Sequence, residues 1–66
     1  MIKINLKDLR RQKGVTQSTV AEFLGISVRY YSMLETGKRT PGFLLAKRIA
    51  DYYGVKIDDI NFFDLK

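Results

Sequence analysis

Apolar positions along the chain fall in short, helix-like sets that glycine interrupts at regular intervals. Gly14, Gly25, Gly37, the Pro41–Gly42 pair and Gly54 mark the breaks. Three of the segments open in the same way. A small polar residue stands between two flanking apolar ones: Asn5 between Ile4 and Leu9, Thr16 between Val15 and Val20, Ser27 between Ile26 and Tyr31. A side-chain oxygen at such a position can accept from a free N–H of the first turn, and the flanking pair closes over it as a hydrophobic staple. Asp8, at the third position of the first helix, suits the positive end of the helix dipole. The glycines at 14, 25, 37 and 54 fall where a helix end favours a left-handed residue. Pro41 suits the first turn of a fourth helix running to about Tyr53. A short, poorly capped fifth helix is expected near residues 57–61. Residues 1–4 alternate weakly and residues 62–65 are apolar around Asp64, so both read as short strands able to pair with each other. The pattern predicts an all-α, compact five-helix domain over residues 1–66, with short terminal strands and no repeat or linker.

The size of the chain sharpens this picture. With 66 residues, a domain buries only about 60% of the surface its unfolded chain exposes. It contains no Cys and no His, which excludes disulfides, thiolate chemistry and the usual zinc sites. Stability must then come from helix packing, self-association, or both. The same absences argue against an enzyme. There is also no phosphate-binding glycine loop, and acids cluster only at Asp58–Asp59. Neither a cofactor nor a small-molecule substrate is implied. No apolar run reaches membrane-spanning length, residues 1–5 lack a signal-peptide core, and the lack of Cys fits a reducing compartment. A cytoplasmic location is expected.

Charge is unevenly distributed. The formal net charge is +5, made of +7 over residues 1–48 and −2 over residues 49–66. A basic body with a mildly acidic end suggests a polyanion on one face and a separate task at the other. The plainer alternative is an ordinary solvated surface with a basic bias.

The second and third predicted helices are joined by Leu24–Gly25–Ile26. Helices crossing steeply over so short a turn need a small residue where they touch, and Ala21 is placed for it. Leu24, Ile26 and Leu34 would fill the angle. This is a helix-turn-helix over residues 17–36, in which the second helix enters the major groove. On a 3.6-residue period, Val28, Arg29, Ser32, Met33 and Thr36 share one face, opposite Tyr31 and Leu34. Arg29 is the only charged member of that face and suits a bidentate contact with guanine. Val28 and Met33 would sense thymine methyls, or else pack on a neighbouring element. Tyr30 could offer its hydroxyl to a phosphate or merely cover the helix.

The run Thr16–Gln17, Ala21, Leu24–Gly25–Ile26–Ser27, then Leu34–Glu35–Thr36–Gly37–Lys38–Arg39–Thr40–Pro41, resembles the Xre family of phage-repressor and Cro-like helix-turn-helix proteins. Ile49–Ala50, Tyr53–Gly54–Val55 and Asp58–Asp59–Ile60 match the family's closing helices, so the resemblance covers roughly residues 5–61. It implies a lambda-repressor-like domain and a transcriptional regulator, commonly a repressor bound as a dimer to a palindromic operator in double-stranded DNA. It further implies that Gln17 touches a phosphate, and that Ser27, Val28, Arg29, Ser32 and Met33 lie at or near the groove. Lys38 and Arg39 match a loop that grips the DNA backbone. Arg10 and Glu35 match a structural salt bridge between the first and third helices, preferred here to a DNA contact for Arg10.

Family dimers use the fifth helix and the terminal segments. Residues 55–66 are therefore the expected dimerisation segment, with Ile57, Ile60, Phe62, Phe63 and Leu65 in a homodimer interface. The alternative is that these side chains cap the core of a single chain. An antitoxin-like protein, whose main partner is a toxin, is the competing function. Two residues depart from the family pattern: Tyr31 where a β-branched aliphatic residue is common, and Lys56 where a Ser or Asp often caps.

Overall fold

In the computed structural model, which describes residues 3–62, four α-helices follow one another: α1 (Leu6–Lys13), α2 (Gln17–Leu24), α3 (Val28–Thr36) and α4 (Phe43–Tyr53). The polar start signals work at two of three sites. Thr16 Oγ1 accepts from the Thr19 amide at 3.1 Å, and Ser27 Oγ accepts from the Tyr30 amide at 3.0 Å. Asn5 has the extended backbone of a cap, but its side chain makes no capping bond. Gly14, Gly25, Gly37 and Gly54 all end their helices in the left-handed region, with φ between 72° and 81°. That conformation lets the chain reverse within one residue, which a side chain would oppose. At Gly25 it turns α2 into the approach to α3, and the Ile26 amide closes the turn on the Ala21 carbonyl at 3.0 Å.

Three expectations about the later part of the chain are corrected. Pro41 is not in the first turn of α4; it is buried two residues before the helix, and Gly42 takes the N-cap position. No fifth α-helix forms among the described residues. In its place is a single 3-10 turn, Ile57–Asp59. Lys56 offers no side-chain oxygen for a cap, and Asp59 instead accepts weakly from the Lys56 amide at 3.4 Å. The third correction concerns strands. Among the described residues the only pairing is an isolated parallel bridge between Ile4 and Ile60. The Ile4 amide donates to Asp59 (2.8 Å) and the Asn61 amide donates to Ile4 (2.9 Å). This register carries Ile60 and Phe62 inward, and among the described residues the N-terminal segment meets residues 59–61. Residues 1–2 and 63–66, with the rest of the expected strands, lie outside the described residues.

Every helix sends its apolar side into one core: Leu6 and Leu9, Val20, Ala21 and Leu24, Tyr31 and Leu34, then Ala46, Ile49 and Ala50, closed by Ile60 and Phe62. Ala21, buried at the turn between α2 and α3, has the small side chain that a close crossing needs. Tyr31 is the largest fully buried side chain, so the core is built around the inner face of α3.

Candidate nucleic-acid interface

The outward face of α3 is the surface whose position the rest of the fold determines. Below it, Glu35 gathers donors from two other helices. Arg10 of α1 donates through Nε to Oε2 at 2.7 Å and through Nη2 to Oε1 at 3.4 Å; Gln17 of α2 donates to Oε1 at 3.0 Å. Arg10 also reaches the Val15 carbonyl at 3.2 Å. Burial alone would raise the Glu35 carboxyl's pKa, but the hydrogen bonds from Arg10, Gln17 and Tyr31 outweigh it and lower it. The Arg10 guanidinium is correspondingly held more firmly in its charged form by its hydrogen bond to Glu35. The Tyr31 hydroxyl lies 2.6 Å from that of Tyr53, tying α3 to α4. Burial pushes both phenols upward, so both stay neutral and hydrogen-bonded. The inner face of α3 is thus fastened to all three other helices by polar as well as apolar contacts.

The outer face differs in every respect. Val28 and Arg29 are exposed, and Ser32 and Met33 are half-buried. Just past α3, the Lys38 and Arg39 amides fold back onto the Met33 carbonyl at 2.9 and 3.3 Å. This return holds two exposed cations one turn from the α3 face. Ser27 spends its oxygen on the Tyr30 amide but remains exposed, with its O–H still able to donate. Tyr30 is half-buried, its ring packed against the core. Gln17 sits at the first position of α2 with its amide on Glu35; one amide hydrogen remains beside the α2 N-terminus.

The helix-turn-helix family model matches residues 6–60. The chain belongs to the Xre-like helix-turn-helix family. A helix-turn-helix-type transcriptional regulator of uncharacterised role from Methanocaldococcus jannaschii is 38% identical over 63 residues, covering 96% of both chains. Another from Bacillus subtilis is 39% identical over 54 residues, covering 82% of this chain and 71% of its own. A third, from Archaeoglobus fulgidus, is 33% identical over 63 residues, covering 96% of this chain and 89% of its own. No solved structure matches.

Within this family member, the expected dimer residues separate. Ile60 and Phe62 are only 1% and 3% exposed. Their side chains fill the core of one chain and leave no surface for a partner, because the Ile4–Ile60 bridge turns them inward. Ile57 is half-buried at the edge of an open groove. Phe63 and Leu65 lie outside the described residues.

Some structural roles went unseen in the sequence. Arg48 donates to the Leu24 and Phe23 carbonyls at 2.9 and 3.4 Å, closing the C-terminal end of α2. Its charge suits the negative pole of that helix, but a single arginine in α4 carries no local sign of so distant a partner. Lys13, the last residue of α1, stands 4.9 Å over the Tyr52 ring. Among the described residues no helix is long and apolar enough to cross a membrane.

Proposed function

We propose that the chain is a sequence-specific, double-stranded-DNA-binding transcriptional regulator, and that it acts as a repressor binding a palindromic operator as a homodimer. The observation that carries this reading is the contrast across α3: a firmly fastened inner face, and an outer face whose one charged residue, Arg29, is exposed and makes no ion pair among the described residues. Val28, Arg29, Ser32 and Met33 read the major groove. Arg29 takes a guanine through its two-pronged guanidinium, and the apolar pair meets thymine methyls. Ser27, Gln17, Tyr30, Lys38 and Arg39 serve the phosphate backbone, which fixes register without reading sequence. The relatives named as transcriptional regulators over nearly their whole lengths support the same reading.

Selection of binding sites from random duplexes, followed by titration of Arg29→Ala and Lys38→Ala, tests it. Arg29→Ala should relax the preference at one base position per half-site, while Lys38→Ala should weaken all sequences alike and lower the salt dependence. Equal loss on specific and random DNA for Arg29→Ala would remove Arg29 from the reading face. Selected sites without two-fold symmetry would remove the palindromic operator.

A further inference from the structure

We propose that α4 carries a self-complementary surface through which two copies of this chain pair, Leu44 of each entering a groove on the other. This deepens the homodimer in the function proposed above by naming its contact surface. Leu44 is 76% exposed, the most open of the large apolar side chains among the described residues. On the helical period it shares a stripe with Lys47 and Asp51, both well exposed, with only a 3.9 Å contact between them. The stripe faces away from Ala46, Ile49 and Ala50, which α4 gives to the core. Beside it lies an open groove of about 320 Å³ lined by Lys47, Asp51, Val55, Lys56, Ile57 and Asp58 together with Ala50.

The order of charges along the stripe selects the partner. When two copies of one helix meet antiparallel across a two-fold axis, each contact occurs twice with roles exchanged. Placing Lys47 of one copy against Asp51 of the other forms two opposite-charge pairs. Leu44 is three residues before Lys47, so the same register sets it level with the residue three beyond Asp51. That residue is Gly54, beside which a Cβ would meet nothing within 4 Å. Leu44 therefore arrives at an opening next to Val55 and Ile57. The charged lining of the groove is balanced, two lysines against two aspartates, which disfavours a phosphate backbone there. One helix and one groove per chain make a small contact of the dissociable class. Two half-sites on one duplex would strengthen it by holding the copies close.

The test is sedimentation equilibrium of the full chain without DNA, with circular dichroism as a control of folding. The parent should show a reversible monomer–dimer equilibrium. Leu44→Asp should weaken association by roughly tenfold or more. Lys47→Asp and Asp51→Lys should each weaken it by placing like charges together, and the double variant should regain it because both pairs are restored in reverse. The exposure of all three positions keeps the fold intact. A parent that stays monomeric at high concentration overturns the proposal. So do folded Leu44→Asp and single charge reversals that dimerise as the parent does. Duplex binding is measured separately: a chain that pairs through α4 yet binds no duplex overturns the proposed function alone, and a duplex-binding chain indifferent to the α4 changes overturns the pairing surface alone.

Discussion

The two faces of α3 differ in how many other parts of the chain depend on them. Inward, Tyr31 and Leu34 are buried, Glu35 holds Arg10 and Gln17, and Tyr31 meets Tyr53. Changing any of these disturbs several helices. Outward, Val28 and Arg29 are exposed, and neither side chain makes a hydrogen bond or ion pair among the described residues. The energy that holds the helix and the energy with which it meets a ligand are therefore nearly separable. A scaffold arranged like this can keep its geometry while the outer residues change what they recognise.

Tyr31→Ala should break the comparison most severely. It empties the largest fully buried side chain and removes the hydroxyl contact with Tyr53, at a cost of about 4 kcal/mol. For a domain of this size that is most of the total stability, so thermal unfolding followed by circular dichroism should show little folded protein at room temperature. A cooperative transition shifted by only a few degrees would show that the inner face is not the anchor described.

Glu35→Gln comes next. It removes a carboxylate whose side chain is 3% exposed and leaves the Arg10 guanidinium, 16% exposed, without its counter-charge. A fully buried pair broken in this way costs about 3–5 kcal/mol; water reaching Arg10 brings the expectation to about 2 kcal/mol. The pH dependence has a definite sign. The folded carboxyl titrates below its ordinary range, so its contribution is complete above an unfolded-state pKa of about 4.3. It is lost as pH falls through the lower folded value. Urea unfolding between pH 7 and pH 3 should show a steeper acid loss for the parent than for Glu35→Gln. Parallel curves would remove Glu35 as the cause.

The same contrast explains what could be read in advance. Thr16, Ser27 and the helix-ending glycines are local devices that act within one turn of their own position, so short-range spacing identifies them. The Val28–Arg29–Ser32–Met33 face follows from helical period alone. The contacts that settle the later part of the chain are distant in sequence. Arg48 reaches back to the end of α2, and Ile4 pairs with Ile60. Tyr31 shows its departure from the family pattern at a glance, but only the fold reveals Tyr53 as its partner. Ile60 and Phe62 read in the sequence as dimer-interface residues because the turn that tucks them inward depends on a backbone bridge. Lys56 left the fifth helix without a cap, and a single 3-10 turn is the result.

A finer cut through the inner face is Tyr31→Phe, which keeps the ring and deletes one hydroxyl. The Tyr53 oxygen loses its 2.6 Å partner, for an expected cost of about 1 kcal/mol. Burial raises the folded pKa of both phenols, so the folded state retains protons that the unfolded chain releases above about pH 10. Stability should fall as pH rises beyond that point, and less steeply in Tyr31→Phe. Chemical denaturation at pH 8 and pH 11 measures the difference; equal losses would detach the hydroxyl pair from the alkaline limb.

Arg29→Ala tests the outer face, where the expected effect on stability is the smallest. Arg29 is exposed, and no hydrogen bond or ion pair holds it within the described residues. Its removal should change unfolding free energy by less than about 0.5 kcal/mol. If Arg29 reads a guanine, the same substitution should lower discrimination at that base by about 1–3 kcal/mol. Denaturation and duplex titration on one preparation give both quantities. A stability loss as large as that of Tyr31→Phe would mean that Arg29 serves the fold, and the separation between the two faces of α3 would fail where it matters most. Unchanged stability with relaxed base preference would place recognition on residues that the fold leaves free to change.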